Sequence, residues 1–454
     1  MTETSNKHWS SNYLFLLASI GSTVGLSNIW KFTYLAGENG GGAFVLVYLF
    51  SLIIMGVPIL AAEMMIGRRG EKSMVGTLRE LNKKDGISKR WTIFGWTAMV
   101  VVFVILSFYC VITGWTLDYT LLSLSGSLNH LDAIQATAVY QSLLNNPLRM
   151  AAGSFVIVLV TTWIVALGVQ GGLERSIRWM MPTLFILLVA LVFYAMFFGE
   201  FMAALKFLFM PDFSKITPKV ILAAFGQAFF SLGVGTGVML TYGAYMPRHV
   251  SVFRSAVIIA FSDGLASLMA GLAIFPIVFK YGLSPAEGPG LIFLTLPIAF
   301  GEIPGSGYVG SLFFILLLFA ALTSAISLLE SVISTLEEAV HVNRKKMTIR
   351  AGVILWIMGL ITVFSFNWWS EVKPLSMLSG FEDKNIFNLI DYFCSNLLMP
   401  VGGVLMTFIG GWSLSANASK EEMINTPQPV YRLWYFLIRF ICPVIVVLIL
   451  LSSI

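Results

Sequence analysis

Apolar residues in this chain are gathered into long runs, and polar residues collect in the short stretches between them. A bilayer crossing needs about 20 mostly apolar residues. Eleven runs qualify, at roughly 11–35, 42–66, 91–124, 150–168, 177–199, 220–245, 253–280, 308–338, 349–366, 388–412 and 431–453. The pattern predicts an all-α polytopic membrane protein with 11 transmembrane helices. The third and eighth runs are longer than a crossing requires, which implies tilt or extension beyond the membrane. Residues 1–454 form one domain, since no linker is long enough to hold a separate soluble one.

Two runs are interrupted by glycine. The first contains Gly21-Ser22-Thr23-Val24-Gly25-Leu26-Ser27-Asn28, and the sixth contains Ser231-Leu232-Gly233-Val234-Gly235-Thr236-Gly237. Backbone groups cannot stay unpaired in hydrocarbon, so unwound chain survives there only where it lines a cavity or binds something polar. Two breaks five segments apart point to a carrier whose site lies between two repeats. Gly21-x-x-x-Gly25 alone would equally serve as a small-residue helix-packing motif. Asn28, the Glu38-Asn39-Gly40-Gly41-Gly42 run and the second break favour the unwound reading.

Composition agrees and narrows the class. The chain is 57% hydrophobic and 11% charged, with mean hydropathy +0.85, which excludes a soluble domain. Residues 1–10 are polar and show no cleavable signal pattern, so the first run is retained. Basic residues crowd the loop after the second run (Arg68, Arg69, Lys72, Arg79, Lys83, Lys84, Lys89, Arg90) and recur after the fourth, sixth and eighth. By the positive-inside rule the N-terminus is cytoplasmic, and eleven crossings place the C-terminus outside. These loops account for the net charge of +5, so no nucleic-acid partner is implied. Cys110, Cys394 and Cys442 lie in apolar runs without metal-ligand spacing, and no organic cofactor is expected.

Polar groups inside the runs are the chemical candidates, because each is costly in lipid. Freed carbonyls at the first break, with Thr23, Ser27 and Asn28, offer the several oxygens that a hard cation such as Na⁺ takes. The N–H groups that begin the next half-helix face an anion such as a carboxylate. Asp263, beside Ser262 and one turn before Ser267, is a lone carboxylate in need of a counter-charge. Thr323 and Ser324 are either ligands or hydroxyls bonded back to their own helix. Glu63 and Asp391 complete the set, with solvation an alternative for Asp391.

His8-Trp9, the first break through Trp30, residues 38–44, Pro58 with Glu63, Gly226 to Gly233, Thr295-Leu296-Pro297 and Ala320 to Ile326 together resemble the neurotransmitter:sodium symporter family, as a bacterial member, over nearly the whole chain. The resemblance implies a five-plus-five inverted repeat (11–199 and 220–412, with helix 11 at 431–453) and unwound helices 1 and 6. It also implies alternating access and Na⁺-driven uptake of a hydrophobic amino acid across a bacterial cytoplasmic membrane. It assigns one sodium site to the Thr23 carbonyl, Asn28, Ser231, Asp263 and the substrate carboxylate. A second would use Gly21, Val24 and Ala320 carbonyls with the Thr323 and Ser324 hydroxyls. Substrate would meet Thr23, Leu26, Ser27, Tyr109, Phe230 and Ser231 at its charged end. Ile105, Phe230, Gly233, Thr236, Ser324 and Leu328 would set side-chain selectivity. Gly233 and Thr236 are smaller than the Ser and Phe of a leucine-selective relative, which predicts a broad pocket for Leu, Trp, Phe and Tyr.

The same resemblance gives an outer gate of Phe230 with a Lys31–Asp391 ion pair and an inner gate of Trp9, Tyr245 and Glu338. The family's N-terminal Arg is missing, with Asn6 at its place and Lys7 the nearest cation. Gly172 and Pro182 match a pattern in which the inner end of helix 5 unwinds. Chloride-dependent relatives carry Asn where Asp263 stands, so chloride-independent transport is expected. Oligomeric state stays open. A channel, an amino-acid-sensing receptor of the same fold, a symporter narrow for one small amine or amino acid, and a membrane enzyme are the alternatives. The enzyme lacks a nucleophile, base and orienter set.

Overall fold

The computed structural model describes residues 9–283, 291–301, 306–340 and 342–453. Asn6 and Lys7 lie outside the described residues. The first run is split into α1 (Asn12–Thr23) and α2 (Ser27–Glu38), bent by 52°. It is followed by α3 (Gly42–Gly70), the surface helix α4 (Met74–Asp85) and α5 (Trp91–Leu124). Next come α6 (Ala133–Leu144), α7 (Pro147–Ala166), α8 (Val169–Phe198) and the short α9 (Phe201–Phe209). The sixth run is divided into α10 (Pro218–Ser231) and α11 (Val238–Ala244). Then follow α12 (Val252–Lys280), α13 (Leu291–Gly301), α14 (Ser306–Val340) and α15 (Arg344–Ser365). The chain ends with α16 (Ile386–Ser413), α17 (Ala416–Glu422) and α18 (Gln428–Ser452).

Among the described residues nine helices are long and apolar enough to cross a bilayer, and the bent pair α1–α2 makes a tenth. The predicted run 220–245 is the remaining one, and neither α10 nor α11 is long enough to cross alone.

Helix starts follow capping chemistry. Ser11, Asp132, Thr217 and Ser251 each accept a hydrogen bond from a backbone N–H of the first turn, which satisfies groups the helix itself cannot. The breaks have different causes. At the first, Val24 takes an extended conformation (φ −74°, ψ 101°) after α1, which turns the chain out of the ladder. At the second, Gly233, Gly235 and Gly237 have φ of +60°, +89° and +74°. Residues with a Cβ rarely adopt such angles, so alternating glycines dictate the unwound stretch.

The helices pack in two groups. α3 packs against α11, α10 and α12, and α1–α2 lie on α12. α5 packs against α14, α7 and α15, and α7 against α15. Close approach of α3 to α11 depends on Gly67, where an added methyl would stand 1.9 Å from the Leu240 carbonyl oxygen. Gly67→Ala should therefore cost about 1–3 kcal/mol and lower the melting temperature of the detergent-purified protein. Gly171→Ala is the control, since its methyl would meet nothing within 4 Å. Equal melting of the two variants would refute the close-packing account.

Candidate functional site

The two breaks face each other across the middle of the bundle, with α12 on one side and α5 and α14 on the other. Asn28 sits at the start of α2, where the turns widen over Ser27–Lys31; such widened turns are frequent at functional sites. Its Oδ1 accepts from the Gly25 amide at 2.9 Å. Its Nδ2 donates to Ser231 Oγ (3.0 Å), Asp263 Oδ1 (2.8 Å) and Ser267 Oγ (3.0 Å). Ser231 Oγ donates to Asp263 Oδ2 at 2.6 Å, and Tyr48 OH donates to the same oxygen at 3.0 Å. All five of these side chains are buried.

The Asp263 carboxylate therefore has three neutral donors and, among the described residues, no ion-pair partner. Hydrogen bonds alone do not offset the cost of a buried charge in apolar surroundings. The arrangement calls for a cation, and oxygens of Asn28, Ser231 and Asp263 are the ligands at hand. Oxygen ligands of this kind suit a hard cation, and among the described residues no cluster of three His, Cys, Asp or Glu side chains is found.

Tyr48 and Gln227 belong to this cluster and were not singled out from the sequence. Gln227 Nε2 donates to the Ser27 carbonyl at 2.9 Å, while its buried Oε1 has no hydrogen-bond partner. A glutamine inside an apolar run was a readable signal; a tyrosine in an aromatic-rich run was not.

The other group of oxygens lies where α1 ends against α14. Ser324 Oγ is 3.5 Å from the Gly21 carbonyl and 3.3 Å from those of Ser22 and Ala320. Thr323 Oγ1 bonds back to Phe319 and Ala320 at 3.1 and 3.0 Å. A methyl at Gly21 would stand 3.4 Å from Thr323 Cβ and 2.8 Å from Met181 Sδ. Gly21, Ala320, Thr323 and Ser324 are thus together. Val24 follows directly, its extended backbone turning its carbonyl out of the α1 ladder.

Between these two groups lies a cavity of about 440 Å³. Its wall includes Thr23, Leu26, Ser27, Ile105, Tyr109, Phe230, Ser231, Gly233, Thr236, Ser324 and Leu328, all the residues expected to meet substrate, along with Lys31 and Asp391. Phe108, Ile112, Trp115 and Met239 extend the apolar part. The Tyr109 hydroxyl is buried beside Ser324 and the Leu26 backbone, and ends 3.3 Å from where a Gly25 side chain would begin. A hydroxyl at the start of α2 can also donate to an acidic oxygen.

The expected outer-gate ion pair is replaced. The Lys31–Asp391 ion pair is not formed: the Lys31 ammonium lies 3.9 Å above the Phe230 ring, and Asp391 Oδ1 accepts from Ser395 at 2.7 Å. Lysine has no planar fork to span to the carboxylate, and the ring face satisfies the charge. At the opposite end, Trp9 is buried, its N–H donating to the Tyr245 carbonyl and its Nε1 to that of Tyr242. Tyr245 OH donates to Glu330 at 3.4 Å, and Glu330 is paired with Arg344. Glu338, which lies near enough to Tyr245 to act on it electrostatically, accepts from the Ser73 amide and hydroxyl, holding the N-terminus of α4. Glu63, a further buried carboxylate, accepts from the Gly235 amide at 2.6 Å and so anchors the second break.

The stretch around Gly172 is not unwound here. Residues Val169–Glu174 form widened helical turns at the start of α8, with Pro182 within that helix. Glu174 from this stretch takes both the Ser10 amide (2.8 Å) and the Ser10 hydroxyl (2.6 Å). Two hydrogen bonds to a charged group are worth about 3 kcal/mol together. Glu174→Ala should therefore speed hydrogen exchange of the 9–15 segment by at least tenfold, with Glu174→Gln in between. Unchanged exchange would show that Ser10 does not hold this end closed.

Comparison with known proteins places this geometry. The model of the sodium:neurotransmitter symporter family matches residues 6–143 and 141–454. The uncharacterized sodium-dependent transporter YhdH of Bacillus subtilis is 38% identical over 100% of this chain and 99% of its own. A sodium-dependent transporter of Haemophilus influenzae is 33% identical over 99% of each. The crystal structure of MhsT in complex with L-phenylalanine matches with a TM-score of 0.89 at 38% identity, over 98% of this chain and 99% of that one. The chain belongs to the sodium:neurotransmitter symporter family and is a multi-span, sodium-dependent symporter.

Proposed function

We propose that the protein takes up hydrophobic L-amino acids, aliphatic and aromatic, by coupling them to Na⁺ without chloride. The observation that carries the reading is the buried Asp263 carboxylate with three neutral donors, next to a cavity lined both by polar groups of the two breaks and by apolar side chains. An amino acid fits that mixture. Its carboxylate takes the Leu26 and Ser27 amides and the buried Tyr109 hydroxyl, its ammonium takes carbonyls near Thr23, Phe230 and Ser231, and its side chain lies among Ile105, Phe108 and Leu328. MhsT, so similar in fold, is solved with L-phenylalanine.

Two Na⁺ ions travel with the substrate. One lies among Thr23, Asn28, Ser231 and Asp263 and shares a substrate carboxylate oxygen, so that each ligand improves the other's site. The other lies among Gly21, Val24, Ala320, Thr323 and Ser324. The two packing groups supply the moving parts: helices of residues 11–70 and 220–280 rock against those of 91–166 and 308–366, as a five-plus-five repeat with halves at 11–199 and 220–412 would do. Lys31 and Phe230 close the outer side. Trp9, Tyr245 and the Glu174 latch close the inner one, with the N-terminus in the cytoplasm and the C-terminus outside a bacterial membrane.

Uptake into proteoliposomes tests the whole reading. Labelled tryptophan and leucine should accumulate with an inward Na⁺ gradient, equally in chloride and gluconate, and each should compete with the other. Accumulation with K⁺ alone would overturn the coupling, and uptake of one of the two only would overturn the broad pocket.

A further inference from the structure

A second cavity, of about 500 Å³, lies outside the transport site between the N-terminal third of α5 and the middle of α16. Phe94, Ala98, Val101, Val401 and Leu405 give it an apolar wall, Gly235 forms part of its floor, and Ser88 and Arg90 stand at its mouth. The mouth is cationic. Arg90 lines the cavity and Lys89 precedes it in sequence; both side chains are exposed and have no partner among the described residues.

An apolar slot with the unpaired Arg90 in its lining, Lys89 next to it in sequence and Trp91 at the end of a membrane span matches the chemistry of an acyl chain carrying an anionic phosphate head. We propose that this cavity is a binding site for one acyl chain of an anionic phospholipid, whose phosphate is held by Lys89 and Arg90, and that the bound lipid braces the second break.

The brace follows from the floor. Gly235 is the middle glycine of the break, and α16 reaches it backbone to backbone: a methyl on Gly235 would stand 2.5 Å from the Met399 carbonyl oxygen, and one on Gly402 would stand 2.4 Å from the Gly235 oxygen. The stretch thus has a cavity on each face. Gly233 and Thr236 border the transport cavity and Gly235 borders the lipid cavity. A chain filling the second cavity opposes separation of α16 from the break, and by linkage any change at the break alters lipid affinity equally.

Native mass spectrometry of the full chain, loaded with phosphatidylglycerol or phosphatidylcholine, tests the site without reference to any transported substrate. One phosphatidylglycerol should be retained in preference to phosphatidylcholine. Lys89→Ala with Arg90→Ala should weaken that retention roughly thirtyfold, from two cations near a lipid headgroup. Ala98→Trp should fill the slot and abolish it with the melting temperature unchanged. Hydrogen exchange across residues 232–237 should slow with phosphatidylglycerol in the parent protein and in neither variant. Retention independent of headgroup, retention unaltered by the double charge variant, or exchange indifferent to lipid would each overturn the proposal. The charge variant lies on the exposed surface, so it decides even where Ala98→Trp fails to fold.

Discussion

Asp263→Asn is expected to lower sodium-driven uptake in chloride-free medium by two orders of magnitude or more, and to regain part of it when chloride is added. The amide keeps most of the local geometry, because it can still accept from Asn28, Ser231 or Tyr48. What it loses is the charge. A unit charge about 4 Å from a cation is worth about 4 kcal/mol at the effective dielectric of a partly shielded protein site, close to a thousandfold in affinity. Chloride can substitute because the donors around the carboxylate remain: Tyr48, Ser231 and Ser267 are all hydroxyls within reach of one another. Ser267→Ala removes two hydrogen bonds, with Asn28 and Tyr48, and no charge, so its effect should be about tenfold for each bond at most and below that of Asp263→Asn. Uptake by Asp263→Asn that needs no chloride and matches the parent would remove Asp263 from the ion site.

The sequence shows the spans well and the contacts between them poorly, for physical reasons. Twenty apolar residues in a row have few other fates, so the positions of α3, α5, α7 and α12 could be read within a few residues. The breaks could be read because glycine at alternate positions, Gly233, Gly235 and Gly237, serves a backbone that other residues resist. Short amphipathic helices such as α4 and α6 escaped notice, since nothing in a loop of mixed composition compels them. Within the site, Asp263 and Asn28 were visible because each is costly in lipid. Tyr48 was hidden, since tyrosine among Phe44, Leu46 and Phe50 looks like any membrane aromatic, and only the fold brings its hydroxyl to Asp263. Glu330 is readable by the same cost argument as Asp263, whereas Glu338, on the same helix, enters only through the family resemblance.

The Lys31–Asp391 gate shows a different limit. Opposite charges at matching positions suggest a pair, but pairing depends on reach and on competing partners. Phe230 supplies a competing partner for the ammonium and Ser395 for the carboxylate.

Thr236→Phe is expected to raise the concentration of tryptophan needed to compete for uptake at least tenfold while leaving leucine within about threefold. Thr236 lines the transport cavity and its hydroxyl is spent on the Gly233 carbonyl, so the substitution removes no bond that the substrate uses. It places a ring in space that a bulky side chain would occupy. Apolar pockets distinguish side chains by volume at about 1–3 kcal/mol for each methylene-sized step, and an indole forced against an added phenyl ring exceeds one such step. Gly233 makes a weaker lever: its φ of +60° penalises any side chain through the backbone even though a methyl there would find open space, its nearest neighbour being Thr236 Oγ1 at 3.9 Å. A loss at Gly233→Ser would therefore mix strain with selectivity, whereas at Thr236 the two separate. Equal losses for leucine and tryptophan in Thr236→Phe would mean that Thr236 supports the break and does not shape the pocket.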